Sequence, residues 1–303
     1  MWFKNLQVYR FTKPFDLSPE DLHQALEGKR SRECGSFEPS TEGWFPPLGR
    51  NAPLMVHTVG DCTMICARRE QKVLPSAVVN EALDDKIDAI EEEEGRTVRR
   101  RERNEIKDEI LQQMLPQAFS RSTLTFAYID TAGGWLVVDA ASTKRGEELT
   151  SLLRETLGSL SVKPIETNVS PVSVMTAWLG GEAPAEGFIV LDECEMRDMV
   201  EDGGIVRCRR QDLDGEEIKS HLDAGKQVVK LAVEVKERLS FVIAEDLTIK
   251  RLKFLDMVQE EAAESEADDE AARFDVDFAL MSLELGRFIP AYLALFGGIP
   301  SEA

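Results

Sequence analysis

The chain has 303 residues, 43% of them hydrophobic and 30% charged, enough to bury a sizeable core in about two domains. Lys and Arg number 36 against 56 Asp and Glu, a formal net charge of −20. Such a balance excludes a uniformly basic nucleic-acid coat and argues against an anionic membrane as partner, but it leaves room for a local basic patch.

Lys4, Arg10 and Lys13 interrupt the first apolar run, so no signal peptide is expected. Residues 2–11 read as a strand. Ser18-Pro19-Glu20-Asp21 starts a helix that ends near Gly28, with Ser as cap, Pro in the first turn and acids behind it. Residues 43–49 read as a proline-stiffened turn, and residues 54–59 and 62–67 as a hairpin around Gly60-Asp61. Pro75-Ser76 opens a long helical region in which Val79, Leu83, Ile87 and Ile90 recur at helical spacing. The pattern resumes after Gly95 with Ile106, Ile110 and Met114 and stops at Pro116. Residues 124–129 and 135–138 form a second hairpin, and residues 142–157 a helix closed by Gly158. Strands follow at 188–191, 205–209, 228–235, 239–244 and 248–254, and the chain ends in helical pattern. The apolar stretch 278–299 contains Glu284, Arg287 and Pro290, so no transmembrane helix is expected. Strands and helices do not alternate regularly. The fold class is therefore α+β, with mixed strands and hairpins beside long helices. Five scattered cysteines suggest no disulfide framework and a reducing cytoplasm.

Charge is unevenly placed. Residues 81–94 hold eight acids and one base, and residues 256–277 hold ten acids and one base. Residues 96–121 hold seven bases and four acids, and residues 206–211 hold three bases and no acid. On a helix wheel with Arg96 at zero, Arg99, Arg100, Arg103 and Lys107 fall at about 300°, 40°, 340° and 20°. Glu102, Glu105, Asp108 and Glu109 lie across the wheel at about 240°, 180°, 120° and 220°. Ile106, Ile110, Leu111 and Met114 share the basic stripe, at about 280°, 320°, 60° and 0°. Such a stripe suits a helix anchored at one end with its bases toward an anion. It also suits a solvated helix with internal ion pairs such as Arg101 with Glu105.

Other chemistries leave weaker traces. Ala224-Gly225-Lys226-Gln227 lacks both the earlier Gly and the following Ser or Thr of a phosphate loop. Cys62 and Cys66 share a strand face without a second ligand pair, and His23, His57 and His221 are isolated, so no metal site is expected. There is no Gly-x-Ser-x-Gly elbow. Asp130 and Asp139 flank a hairpin and could hold Mg²⁺ in a nuclease, although Asp at strand ends is common turn chemistry.

Several ordered stretches resemble the RdgC family of bacterial recombination-associated proteins. They include Trp2-Phe3-Lys4-Asn5-Leu6, Gly43-Trp44-Phe45-Pro46-Pro47, Leu115-Pro116-Gln117-Ala118-Phe119-Ser120-Arg121, Glu201-Asp202-Gly203-Gly204, Gln211-Asp212-Leu213, Lys250-Arg251-Leu252-Lys253-Phe254 and Arg273-Phe274-Asp275. The likeness runs in order from residue 2 to about 285. It implies a non-catalytic protein without cofactors: an elongated, curved subunit closing into a ring-shaped homodimer. Such a ring holds double-stranded DNA without sequence preference in a positively lined hole. It also implies restraint of the strand-exchange recombinase, a role at replication forks, and a nucleoid-associated place in the cytoplasm. The family's subunit-contact phenylalanine falls on Phe119, its basic-residue-then-Gln pair on Arg210 and Gln211, and a basic residue after the acidic helix on Arg96. Some members are basic where this chain has Gln117, which removes one expected charge.

The expected DNA-binding residues are Arg96, Arg99, Arg100, Arg103, Lys107, Arg207, Arg209, Arg210 and Gln211, with Phe119 at the dimer interface. The expected regions are residues 1–75 with 117–165 (central, β-rich), 76–116 with 255–303 (helical) and 166–254 (a tip-like α+β region). Two other readings stay open. One is an acidic protein that binds the recombinase directly through helices around Glu91 and Glu264. The other is a metal-dependent nuclease using Asp130 and Asp139.

Overall fold

Backbone hydrogen bonding gathers the strands into two antiparallel sheets. The structure is a computed structural model that describes residues 1–200, 202–263 and 269–300. The first sheet contains β1 (Gln7–Phe11), β2 (Ser40–Trp44), β3 (Val56–Val59), β4 (Cys62–Val73), β5 (Phe119–Asp130), β6 (Trp135–Val138) and β7 (Val162–Pro164). Its order is β2-β4-β5-β6-β1-β7, with β3 also paired to β4. The second contains β8 (Phe188–Arg197), β9 (Ile205–Arg209), β10 (Gln227–Val235), β11 (Leu239–Ala244) and β12 (Ile249–Phe254), in the order β12-β11-β10-β8-β9. The helices are α1 (Pro19–Glu27), α2 (Ser76–Glu94), α3 (Arg100–Met114), α4 (Thr143–Leu157), α5 (Pro171–Leu179), α6 (Glu216–Asp223), α7 (Asp256–Ala263) and α8 (Glu270–Ala294). Antiparallel sheets with helices packed on them make the fold α+β.

Local chemistry explains the boundaries. The Ser18 hydroxyl accepts the Asp21 N–H at 3.1 Å and Pro19 fills the first turn of α1. Gly95 and Gly158 end α2 and α4 with φ of 64° and 75°, the left-handed cap that glycine adopts without steric penalty. Several elements differ from the sequence expectation: β1 begins at Gln7, β8 runs on to Arg197, and β7, α5 and α6 have no counterpart in it. Helix α3 starts at Arg100 rather than at Arg96, so Arg96 stands in the loop before it. Strands β4 and β5 extend past the expected hairpins, pairing from Cys62 with Asp130 to Val73 with Phe119. Residues 40–44, read partly as a turn, form β2 against β4.

Three apolar clusters hold these elements. The largest joins one face of the first sheet, the inner face of the second and α8, whose Phe278, Met281, Leu285, Phe288 and Tyr292 are buried. Phe278 meets Tyr128 edge-on at 5.9 Å, and Phe288 meets Phe241 at 5.0 Å. The second cluster covers the other face of the first sheet with α1 and α4, through Leu22, Leu26, Trp44, Leu149 and Leu153. The third is small: Val79, Leu83 and Ile87 of α2 against Ile106 and Ile110 of α3.

The N-terminal residues stitch the sheets together. Leu6 and Ile249 exchange backbone hydrogen bonds at 2.8 and 3.1 Å, and the Leu252 N–H donates to the Lys4 carbonyl at 2.7 Å. Asn5 Oδ1 accepts the Arg251 N–H at 3.2 Å.

Candidate nucleic-acid interface

The expected bases fall into two groups. At the α2–α3 hairpin, the apolar stripe of α3 faces α2, and the bases sit beyond it near the start of α3. Arg96 reaches Glu102 at 2.5 Å and Glu94 at 2.5 Å, Arg101 reaches Glu105 at 3.0 Å, and Arg103 reaches Asp84 at 2.8 Å. The internal ion pairing that competed with the anion reading is thus present. Exposed pairs of this kind contribute only about 0–1 kcal/mol, so a phosphate can displace the carboxylate at little cost. Arg99, Arg100 and Lys107 make no ion pair among the described residues.

The second group lies on the outer face of the second sheet. Alternation along β9 buries Cys208 and turns Arg207 and Arg209 outward. The register sets Arg207 opposite Glu195 and Arg209 opposite Glu193. Arg207 binds Glu195 at 2.8 Å, and Lys230 binds the same carboxylate at 3.0 Å. Arg251 binds Glu193 at 2.6 Å, with Arg209 at 3.5 Å. Arg197 lies 3.5 Å from Glu195. Arg197 is equally close to Glu245, at 3.5 Å, so five bases meet three carboxylates. Burial pushes Glu195 up, but hydrogen bonds from Arg207 and Lys230 outweigh it and hold the carboxyl below the usual range. The Arg251 hydrogen bond holds Glu193 below it too. Lys230, Arg251 and Arg197 escaped sequence reasoning because only the sheet order brings β8, β10 and β12 toward β9.

Arg210 follows β9 with φ of 54°, an uncommon conformation for a side chain with a Cβ. It is exposed and without an ion pair among the described residues. The Gln211 N–H donates to the Asp192 carbonyl at 3.2 Å, and its side-chain amide donates to Glu217. That turn is fixed to β8 and α6 while Arg210 projects from it.

Phe119 is 87% exposed. It opens β5, opposite Val73, at the end of the long β4–β5 ladder. Gln117 stands exposed two residues earlier.

Asp130 and Asp139 do structural work. Asp130 Oδ1 accepts the Gly133 N–H at 2.7 Å and closes the β5–β6 turn. Asp139 Oδ1 accepts the Lys4 and Asn5 N–H groups at 3.1 and 2.9 Å. Burial pushes Asp139 up against those bonds. The residue before it, Val138, pairs with Ala127, so Asp139 lies about four residues, or roughly 13 Å, along the ladder from Asp130. Two carboxylates so separated cannot share one ion. Among the described residues, no cluster of three or more His, Cys, Asp and Glu side chains is placed to hold a metal ion. No described helix is long and apolar enough to cross a membrane.

The family whose model matches residues 1–299 carries the description "Putative exonuclease, RdgC". The chain belongs to the RdgC family. A relative named recombination-associated protein RdgC, from Pseudomonas putida, is 47% identical over 300 residues, covering 98% of both chains. One of the same name from Tolumonas auensis is 46% identical over 302 residues, covering 100% of both. Another, from Aeromonas hydrophila, is 47% identical over 299 residues, covering 98% of each. Those names point to recombination rather than to an enzyme, whereas the family description names an exonuclease.

Proposed function

We propose that this RdgC-family chain binds double-stranded DNA without sequence preference, as a homodimeric ring, and so limits recombinase-mediated strand exchange during recombination and fork repair. The observation that supports it best is the outer face of the second sheet, where five bases outnumber the three carboxylates they meet on a chain of net charge −20. Phosphate contacts from bases on such elements position a duplex without reading its sequence. Acids elsewhere repel other DNA segments. Arg99, Arg100, Lys107 and Arg210 add charge that no carboxylate occupies among the described residues. Phe119, exposed at a ladder end, is the subunit contact in this reading.

The test is a salt titration with unrelated duplexes. Log K should fall linearly with log salt, because phosphate contacts release counterions. Affinities should agree within about tenfold, or about 1.4 kcal/mol. A preference beyond about 4 kcal/mol for one duplex overturns the reading. Phe119→Ser should leave a folded subunit that dimerises weakly and leaves circular DNA sooner. Sedimentation and dissociation kinetics read these effects.

A second reading is an acidic protein that contacts the recombinase directly. Glu92, Glu93 and Glu94 are exposed on α2, while Glu264 lies outside the described residues. Gel shifts that persist without recombinase count against it. The nuclease reading fails if plasmid stays intact with Mg²⁺ or Mn²⁺.

A further inference from the structure

An open groove of about 630 Å³ runs between the outer halves of β4 and β5 and the first turns of α4. Its position follows from the register. Arg69 pairs with Thr123 and Gln71 with Arg121, so Arg69 and Arg121 are diagonal neighbours on one sheet face. On the other wall, Lys144 and Arg145 occupy the first turn of α4. Two acids line the groove, Glu42 and Glu148, and Glu148 is engaged by Arg69 at 3.0 Å. Arg121, Lys144 and Arg145 are exposed and make no ion pair among the described residues. The floor is firm, since Leu149 and Leu152 belong to the core beneath.

The charge here runs against helix chemistry. The positive end of a helix dipole favours acids, yet α4 has none in its first turn and carries two bases there. Ser142, at the cap position, makes no side-chain hydrogen bond to the helix. On a strongly acidic chain, this lining of six bases and two acids is a local excess of positive charge that an entering anion relieves. The volume is that of a small-molecule site, about 300–1,000 Å³. It admits a short run of backbone and not a whole duplex.

We propose that this groove seats consecutive phosphates of one DNA strand, a contact additional to those of α3 and the second sheet. The inference rests on the duplex-binding reading above. Arg121 and Arg69 serve the strand from the sheet side, and Lys144 and Arg145 from the helix side.

The experiment compares Lys144→Gln/Arg145→Gln with Lys13→Gln/Arg154→Gln, a control that removes the same charge from exposed positions outside the groove. Each lost phosphate contact lowers the slope of log K against log salt by about 0.9. The groove variant should lose about two units of slope, and the control almost none. A second readout uses the unaltered protein. Acetylation of Lys144, followed by mass spectrometry, should slow at least fivefold under saturating duplex, while Lys13 keeps its rate. Equal slope losses in both variants, no loss in either, or unprotected Lys144 overturns the groove while duplex binding stands. Protection by tripolyphosphate but not by duplex overturns it in favour of a free polyphosphate. Absence of duplex binding by the unaltered protein overturns the duplex reading and the groove together.

Discussion

The second sheet and the α2–α3 hairpin both present bases, but on different foundations. Behind the sheet lies the main core, with Leu231, Phe241 and Phe288 buried. Behind the hairpin lie five buried aliphatic side chains and, among the described residues, no aromatic one. Glu195, at the centre of the sheet's clamp, is nearly buried, whereas Arg103 and Asp84 of the hairpin are both exposed. The contrast separates two ways of holding positive charge. A sheet face fixes the spacing between charges. A helix pair on a small cluster opens at lower free energy than the strands of a main core.

Phe241→Ala should have the largest effect, about 3–5 kcal/mol, read as a lower midpoint for the whole chain. Leu83→Ala should cost about 2 kcal/mol, and its loss should stay local. Amide exchange should quicken in α2 and α3 while β10 and β11 keep their protection. If Leu83→Ala lowers protection everywhere, the hairpin is not a separate unit.

Glu195→Gln acts on the sheet face. It frees Arg207 and Lys230, so stability should fall by only about 1 kcal/mol because both partners are partly exposed. Duplex binding should tighten, with the salt slope steeper by about one unit. Unchanged binding would remove this face from the interface. The clamp also sets an acid limb. Glu193 and Glu195 titrate below the ordinary value of 4.5, so their contribution is complete above that pH and is lost as pH falls below it. Acid unfolding of Glu195→Gln should therefore be flatter below pH 4.5.

The smallest effect is expected from Arg210→Gly. It relieves a φ of 54° and should raise stability by up to about 1 kcal/mol. It also deletes one charge and should lower the salt slope by about 0.9. A stability loss would mean that the arginine side chain holds the turn.

Helix α1, the glycine ends of α2 and α4, and strand β11 are legible because local chemistry decides them. Ser18-Pro19, Gly95 and Gly158 each act within a single turn. Strand β2 is hidden because Gly43 and the prolines after it look like a turn. There a Cβ would stand 2.7 Å from the Lys29 carbonyl, so the glycine serves close packing rather than a bend. The outer halves of β4 and β5 are hidden because Arg68, Arg69, Gln71 and Arg121 give no apolar alternation, and the ladder itself holds them. Helix α5 is buried too widely to show a helical stripe. The α3 bases are visible as one run of sequence. The clamp around Glu193 and Glu195 is not, since its bases come from β8, β9, β10 and β12.

The stitch at Leu6 bears on how the chain is made. Lys4 and Leu6 emerge from the ribosome more than 240 residues before their partners Leu252 and Ile249. Until those appear, the junction between the sheets is unsatisfied and the buried Phe3 lacks its contact with Met281 of α8. The nascent chain therefore carries an open seam until β12 and α8 are made, a state in which exposed apolar surface and unpaired strand edges invite association. Closing the seam pairs segments more than 240 residues apart, and the same backbone bonds tie the two sheets together.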